Sequence, residues 1–221
     1  MADFTLYIGY RQTSSWSLRG WLAMRKVGVP FDEVMIRYRR PDGKARLTKI
    51  SPTSQVPVLI DGRDGSEIKV WESLAVCEYL AEAFPGARLW PEDREARAFA
   101  RSISAEMHSG FRALRELMPM ALLERLPKPE SKAVDADVAR IGEIWRTCRE
   151  RWGAAGGGPC LFGRFTIADV MYAPVVSRFH TYGVSLDPVA ESYKAAILSD
   201  PDVTAWFEQA RRDPEPEPLP N

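Results

Sequence analysis

Histidine is close to absent from this chain: His108 and His180 are the two in 221 residues. A histidine-rich metal centre or a Ser-His-Asp triad has little to build on. Cysteine is scarce as well, and Cys77, Cys148 and Cys160 stand far apart with no C-x-x-C pair. That spacing supports neither a disulfide framework nor a zinc knuckle, and all three read as reduced thiols. Net charge is missing too, because 30 basic side chains cancel 30 acidic ones. Nothing in that balance favours nucleic acid or an anionic membrane surface. No apolar run approaches the roughly 20 residues that span a bilayer, and "MADFTLYIGY" has no basic stretch leading into an apolar core. A cytoplasmic protein that binds a small molecule or another protein is the expectation.

What is present is 45 % apolar content and a pattern that changes period along the chain. "FTLYI" (Phe4 to Ile8) reads as a strand, and Ser17 to Val27 carries Leu18, Trp21, Leu22 and Val27 at helical spacing, stopping at Gly28. "FDEVMI" is a second strand, placed parallel to the first by a right-handed crossover. A charged loop, "RYRRPDGKAR", and a short helix around Lys44 to Ile50 follow. "VPVLID" and "IKVW" flank "GRDGSE", whose Asp64-Gly65 suits a hairpin turn. A helix from Ser73 to Phe84 closes the series, ended by Pro85-Gly86. The order β-α-β-α-β-β-α predicts a small mixed sheet covered by helices, close to a thioredoxin-like domain over residues 1–84.

After a linker at 85–90 the strand signal vanishes, and residues 91–212 read as all-α. Pro91, followed by Glu92 and Asp93, opens a long helix to about Leu117 with Gly110 as a bend. Another helix spans about Ser131 to Trp152, and "GAAGGGPC" follows. Those glycines lack the Lys-Ser/Thr of a phosphate loop and read as a flexible connection. In "RFTIADV", Thr166 and Asp169 form a capping-box pattern, with Phe165 and Val170 at the staple positions. This helix is expected to begin buried and to carry Tyr172, Val175, Val176 and Phe179 inward. Shorter helices lie near Val189 to Leu198 and Pro201 to Arg211. The last residues, 213–221, have too little apolar surface to fold and read as a disordered tail.

Four segments, in this order, resemble the cytosolic glutathione transferases. "SSWSLRGWLAM" is similar to the S-S-C-x-x-R-x-x-I-A-L segment of the zeta-like branch. "SQVPVLIDG" resembles the Q-V-P turn before the third strand, "WESLAVCEYL" the glutamate-serine pair opening the third helix, and "FTIADV" the capped core helix of the second domain. The resemblance spans Phe4 to Arg212. It implies a thioredoxin-like domain followed by an all-α domain, glutathione as co-substrate, a small electrophilic partner and a homodimer.

The residues also read physically. Ser14 and Ser15 stand before a helix, where hydroxyls commonly cap. The resemblance implies that Ser14, with Ser15 as fallback, donates to the sulfur of glutathione, since donors and positive potential at a helix N-terminus lower a thiol pKa from about 8.5. Pro57 reads as a trans proline at an edge strand or as a cis bond turning Val56 toward an open edge; the family implies the cis form, with Val56 pairing the cysteinyl unit. Glu72 and Ser73 stand where a helix begins, suited to a cap or to the γ-glutamyl ammonium and carboxylate. For the glycyl carboxylate Lys44, Lys49 and Gln55 compete, while Arg37, Arg39 and Arg40 read as a solvated loop face. Tyr10, Arg11, Met107, His108, Phe111, Arg112 and Tyr172 are candidates for the electrophile pocket, though such aromatic and methionine residues also suit a core. No metal ligands are assigned. Trp16 stands where the zeta-like branch carries cysteine, which puts isomerase activity in doubt, and no cysteine between Met1 and Val76 serves redox chemistry. Two further readings stand beside the transferase. One is a glutathione-dependent isomerase of the maleylacetoacetate type, with Arg11, Arg112 or Arg178 to hold a carboxylate. The other is a non-catalytic binding protein of the same fold.

Overall fold

The computed structural model describes residues 2–63 and 65–214. Asp64 of the hairpin turn and nearly all of the tail segment 213–221 lie outside the described residues. The described residues divide into two compact units: one holds those up to Ala87 together with 206–214, and the other is Arg88–Ala205.

The first unit is a sheet of four strands, β1 (Phe4–Ile8), β2 (Asp32–Met35), β3 (Val58–Asp61) and β4 (Ile68–Trp71), in the order β2-β1-β3-β4. β2 runs parallel to β1, whereas β3 and β4 run antiparallel to their neighbours. Along β1 burial alternates, so that Phe4, Leu6 and Ile8 face inward. Helix α1 (Ser15–Val27) packs against α3 (Ser73–Ala83), and α2 (Pro41–Ile50) connects β2 to β3. α1 starts two residues before the spacing predicts. The Ser14 hydroxyl accepts from the Ser17 N–H and extends the helix back to Ser15, and Gly28, at φ 80°, ends it. α2 likewise begins at Pro41 rather than near Lys44, because a proline at a first helical position forfeits a donor that has no intrahelical partner there.

The far end of this sheet is tied by Asp61, which accepts from Arg63 Nη2 at 2.6 Å and Tyr79 Oη at 2.5 Å. The Arg63 guanidinium sits over both Phe4 and Phe84, 4.8 Å from each ring centre. The pattern assigns residues 91–212 to the helical domain, but the chain from Trp206 groups with the sheet. Trp206 lies 5.3 Å from Trp21, and its indole N–H donates to the Arg11 carbonyl at 3.1 Å.

The second unit contains α4 (Arg94–Ser109), α5 (Arg112–Leu117), α6 (Lys132–Cys148), α7 (Ile167–Thr181), α8 (Pro188–Leu198) and the start of α9 (Pro201–Arg212). The single long helix predicted from Pro91 to Leu117 is two helices. Asp93 caps the first by accepting from the Ala96 N–H at 2.8 Å, so that helix starts at Arg94; Phe111, at φ 57°, breaks the chain before the second. After α6 the winding loosens into a π-type turn over Arg149–Gly153.

The glycine run that follows is no flexible connection. A Cβ on Gly156 would lie 2.8 Å from the Phe162 carbonyl oxygen, and one on Gly163 2.7 Å from Gly156 backbone, so the two strands of backbone touch. Arg149 pins the loop from below by donating to the carbonyls of Gly158 and Cys160. The capping box forms as the sequence implies: Asp169 accepts from the Thr166 N–H at 2.8 Å and from the Leu161 N–H at 3.0 Å. α7 is buried along almost its whole length, with Trp145 of α6 against Tyr172 and Phe179.

Candidate active site

The hydroxyls before α1 form a connected pair. Ser14 Oγ donates to Ser17 Oγ at 2.8 Å, and Ser17 Oγ also accepts from the Gly9 N–H at 2.8 Å. Ser14 is 7 % exposed, Ser17 fully buried. Ser14 is therefore both a cap and the outer end of a short relay anchored on the backbone of the β1 end. Ser15 is the first residue of α1 and is buried. Hydroxyl protons rotate freely, so an acceptor arriving at Ser14 takes its proton while Ser17 donates to Ser14 in turn, with no heavy atom moving.

Gly9 joins this pair to the Val56-Pro57 turn. A Cβ at Gly9 would come 2.7 Å from Tyr38 and 3.2 Å from the Val56 side chain, so only glycine lets the three meet. Pro57 packs against α1, where a Cβ on Gly20 would lie 3.0 Å from the proline ring. The Val56-Pro57 bond is cis. The strand register with β1 begins at Val58, which leaves Val56 beyond the ladder.

Glu72 precedes α3 at φ 75° and ψ 127°, a left-handed conformation disfavoured for a residue with a Cβ. Ser73 follows at the first helical position, fully buried, and its hydroxyl has no hydrogen-bond partner among the described residues. A buried hydroxyl so placed, beside open helix N–H groups, is suited to a carboxylate. Cys77, one turn further on, has its thiol pushed up to about 12 by burial, with the Arg19 guanidinium opposing. Thiol chemistry there is suppressed.

The remaining sequence candidates fall in several places. Lys44, Lys49 and Gln55 are exposed, and the Gln55 N–H donates to Ser51 Oγ at 3.1 Å. Tyr10 is buried edge-on against Tyr38 at 5.1 Å, with the Arg39 guanidinium 5.5 Å over its ring, so Arg39 packs on an aromatic face rather than on solvent alone. Arg11 is gripped by Glu33 and by Asp213, the latter at 2.9 Å. In the second unit Met107 and Tyr172 are fully buried, the Tyr172 hydroxyl donating to the Ile103 carbonyl at 3.3 Å. His108 is half-buried, and Phe111 is nearly buried at the break before α5. Arg112 is 88 % exposed and pairs with Glu116. Arg178 is buried and donates to the Met118 and Pro174 carbonyls; burial lowers its pKa to about 10, and Arg115 nearby adds to that. Arg11 and Arg178 thus hold the fold together, and Arg112 stands in solvent.

Sequence reasoning passed over Ser17 and Gly9. A serine three residues after a capping serine lies over it on the same helical face, a signal that was in the string but points equally to an ordinary helix start.

Two family models match, the glutathione S-transferase N-terminal domain over residues 13–83 and the glutathione S-transferase C-terminal domain over residues 131–209. The chain belongs to the glutathione S-transferase family. Among its relatives, maleylacetoacetate isomerase of Rattus norvegicus is 30 % identical over 190 residues, covering 83 % of this chain and 81 % of that protein. Glutathione S-transferase F14 of Arabidopsis thaliana is 28 % identical over 231 residues, covering 97 % and 82 %. A crystal structure of a glutathione transferase homolog from Burkholderia GL BGR1, with bound glutathione, shares the fold at a TM-score of 0.69 and 24 % identity, covering 95 % of this chain and 98 % of that one. Relatives named for the isomerase agree with the zeta-like serine segment, and Trp16 is where this family member departs from that segment.

Proposed function

We propose that this glutathione S-transferase family member binds glutathione along the first unit and uses its thiolate to attack a small hydrophobic electrophile. The observation that carries the reading is the run Ser14, Ser17, Gly9, Val56: a hydroxyl at the mouth of α1 tied to a backbone segment able to pair with an extended peptide. Val56 offers its backbone to the cysteinyl unit, the Ser73 hydroxyl and the α3 N–H groups receive the γ-glutamyl carboxylate, and Glu72 receives its ammonium. Lys44, Lys49 or Gln55 meets the glycyl carboxylate.

A free thiol of pKa about 8.5 is only roughly 3 % ionised at neutral pH. A hydrogen bond from Ser14 and the positive end of α1 favour the charged form, so each unit of pKa lowering gives about tenfold more nucleophile until neutrality is passed. The thiolate forms the C–S bond, and the electrophile either expels its leaving group or takes a proton from water. Holding both reactants in one site supplies the rest of the rate. The protein acts in the cytoplasm as a homodimer on this reading, and no helix among the described residues is long and apolar enough to cross a membrane.

Conjugation over a panel of aryl halides, epoxides and enones at saturating glutathione tests the proposal, and no turnover with any of them overturns it. The relatedness to maleylacetoacetate isomerases favours a second reading, a cis-trans isomerase, which turnover of maleylacetoacetate separates from the first. Trp16, with Arg19 stacked 4.6 Å from its ring, speaks against it by filling the position of the branch's cysteine. Absence of glutathione binding at millimolar ligand by calorimetry marks a non-catalytic binding protein instead.

A further inference from the structure

The turn Tyr10–Ser14, which presents the capping hydroxyl, holds itself by little. Its Thr13 and Ser14 N–H groups share one acceptor, the Tyr10 carbonyl, at 3.2 and 2.8 Å. Thr13 Oγ1 is buried with no hydrogen-bond partner among the described residues. The remaining ties come from the part of α9 that groups with the sheet. Trp206 Nε1 donates to the Arg11 carbonyl at 3.1 Å, and Gln12 Nε2 donates to the Ala210 carbonyl at 3.0 Å. Three residues further on, Asp213 accepts from Arg11 Nη1 on both carboxylate oxygens, at 3.0 and 2.9 Å.

Arg11 is the centre of this set. Its guanidinium also meets Glu33 of β2 and lies 5.4 Å from the Trp206 ring centre, while Glu33 accepts from Trp21 Nε1 at 2.7 Å. The Arg11 side chain is 11 % exposed and that of Asp213 18 %, so salt and water screen the pair less than a surface pair, and its charge-assisted bonds keep their direction. Two adjacent residues, Arg11 and Gln12, are thus fixed at main chain and side chain just ahead of Ser14. A hydroxyl is useful to a sulfur only if it points at it, because a hydrogen bond weakens steeply once misaligned. Pinning the turn fixes that direction before the ligand arrives.

On the reading of Ser14 as donor to the glutathione sulfur, we infer that Arg11, Gln12, Trp206 and Asp213 are positioning residues for the thiolate. They clamp the turn to the last part of α9 and aim Ser14 Oγ, without touching glutathione themselves.

The ultraviolet absorbance of bound glutathione, titrated between pH 5 and 10 on the full chain, tests this. Asp213→Ala and Gln12→Ala should each raise the bound thiol's pKa by about half a unit to one unit, roughly three- to tenfold less thiolate at neutral pH. Their double variant should raise it further, and Asp213→Glu, which keeps a carboxylate for Arg11, should recover most of the loss. Binding of S-hexylglutathione, which has no thiol to ionise, should stay within about twofold by calorimetry, since the peptide-binding groups are untouched. Asp61→Asn, which weakens the far end of the sheet, should leave the thiol's pKa where it is in the parent. If Asp213→Ala does not fold, Gln12→Ala decides. A parent whose bound thiol titrates near 8.5 overturns the transferase reading and the clamp with it. With a depressed parent value, an unmoved pKa in the clamp variants, no recovery by Asp213→Glu, an equal rise in Asp61→Asn, or loss of S-hexylglutathione binding alongside the rise would each overturn the clamp alone.

Discussion

Ser14 carries two tasks that pull on the same oxygen. As a cap it accepts from the Ser17 N–H, and as donor to a sulfur it gives up the proton it otherwise shares with Ser17 Oγ. Ser14→Ala should raise the pKa of bound glutathione by roughly one to two units, read from the ultraviolet absorbance of the thiolate, and cost about 1 kcal/mol as a lost cap. Ser15→Ala should leave that pKa within about half a unit; a larger rise than for Ser14→Ala would transfer the role to Ser15. Ser17→Ala orphans the Gly9 N–H at about 1–3 kcal/mol and should raise the thiol pKa less than Ser14→Ala does. At the other end of the sheet Asp61 is held down to about 2, first by its hydrogen bond from Arg63, with Tyr79 also lowering it and burial opposing. A depressed carboxylate contributes stability that is present above its unfolded value of 3.8 and lost as pH falls through about 2. That contribution is about 2 kcal/mol. Denaturant titrations between pH 5 and 2 should show the fall in the parent protein and a flatter profile in Asp61→Asn.

At the level of elements, the start of α7 is the point where one side chain organises two segments. Asp169 is fully buried and accepts from the Leu161 N–H, the Thr166 N–H and the Thr166 hydroxyl. Removing it strands two backbone donors, so Asp169→Ala should lower stability by about 3 kcal/mol, measured by chemical denaturation. Its pKa is pushed up to about 6 by burial, against the hydrogen bonds from Leu161 and Thr166. The sign is opposite to that of Asp61. A raised carboxylate contributes stability present below 3.8 and lost as pH rises through about 6, so the two acids define opposing slopes on either side of pH 4. The capping box was legible in "FTIADV" because a cap is local chemistry at fixed spacing. The division of α4 from α5 was not: Gly110 marked a bend, but the break follows from Phe111 adopting a left-handed conformation that its own sequence does not ask for.

For the whole molecule, the chain's end packs on its beginning. Trp206 covers Trp21, Gln12 donates to the Ala210 carbonyl at 3.0 Å, and Arg11 reaches Asp213. Trp206→Ala should cost about 3–5 kcal/mol, as truncation of a buried tryptophan does. The loss should appear in the sheet unit, as faster amide exchange at Trp21 and its neighbours. Sedimentation of the purified protein is expected to give twice the mass of the chain, and a monomer at micromolar concentration would refute the dimer reading.

What the sequence by itself determined is the part of this protein set by local spacing: the strand and helix order of the first unit, the caps at Ser14 and Thr166, and a serine pair, a Val-Pro turn and a Glu-Ser start at separate points along the string. Periodicity and capping act over a few residues, so a linear pattern records them. Only the tertiary structure decided that Gly9 brings Ser17 and Val56 together, that Arg11 and Arg178 are spent on the fold, that the glycine run packs backbone against backbone, and that Trp206 belongs with the sheet. Each depends on contacts between residues distant in sequence, where close packing and the requirement that buried polar groups find partners select one arrangement.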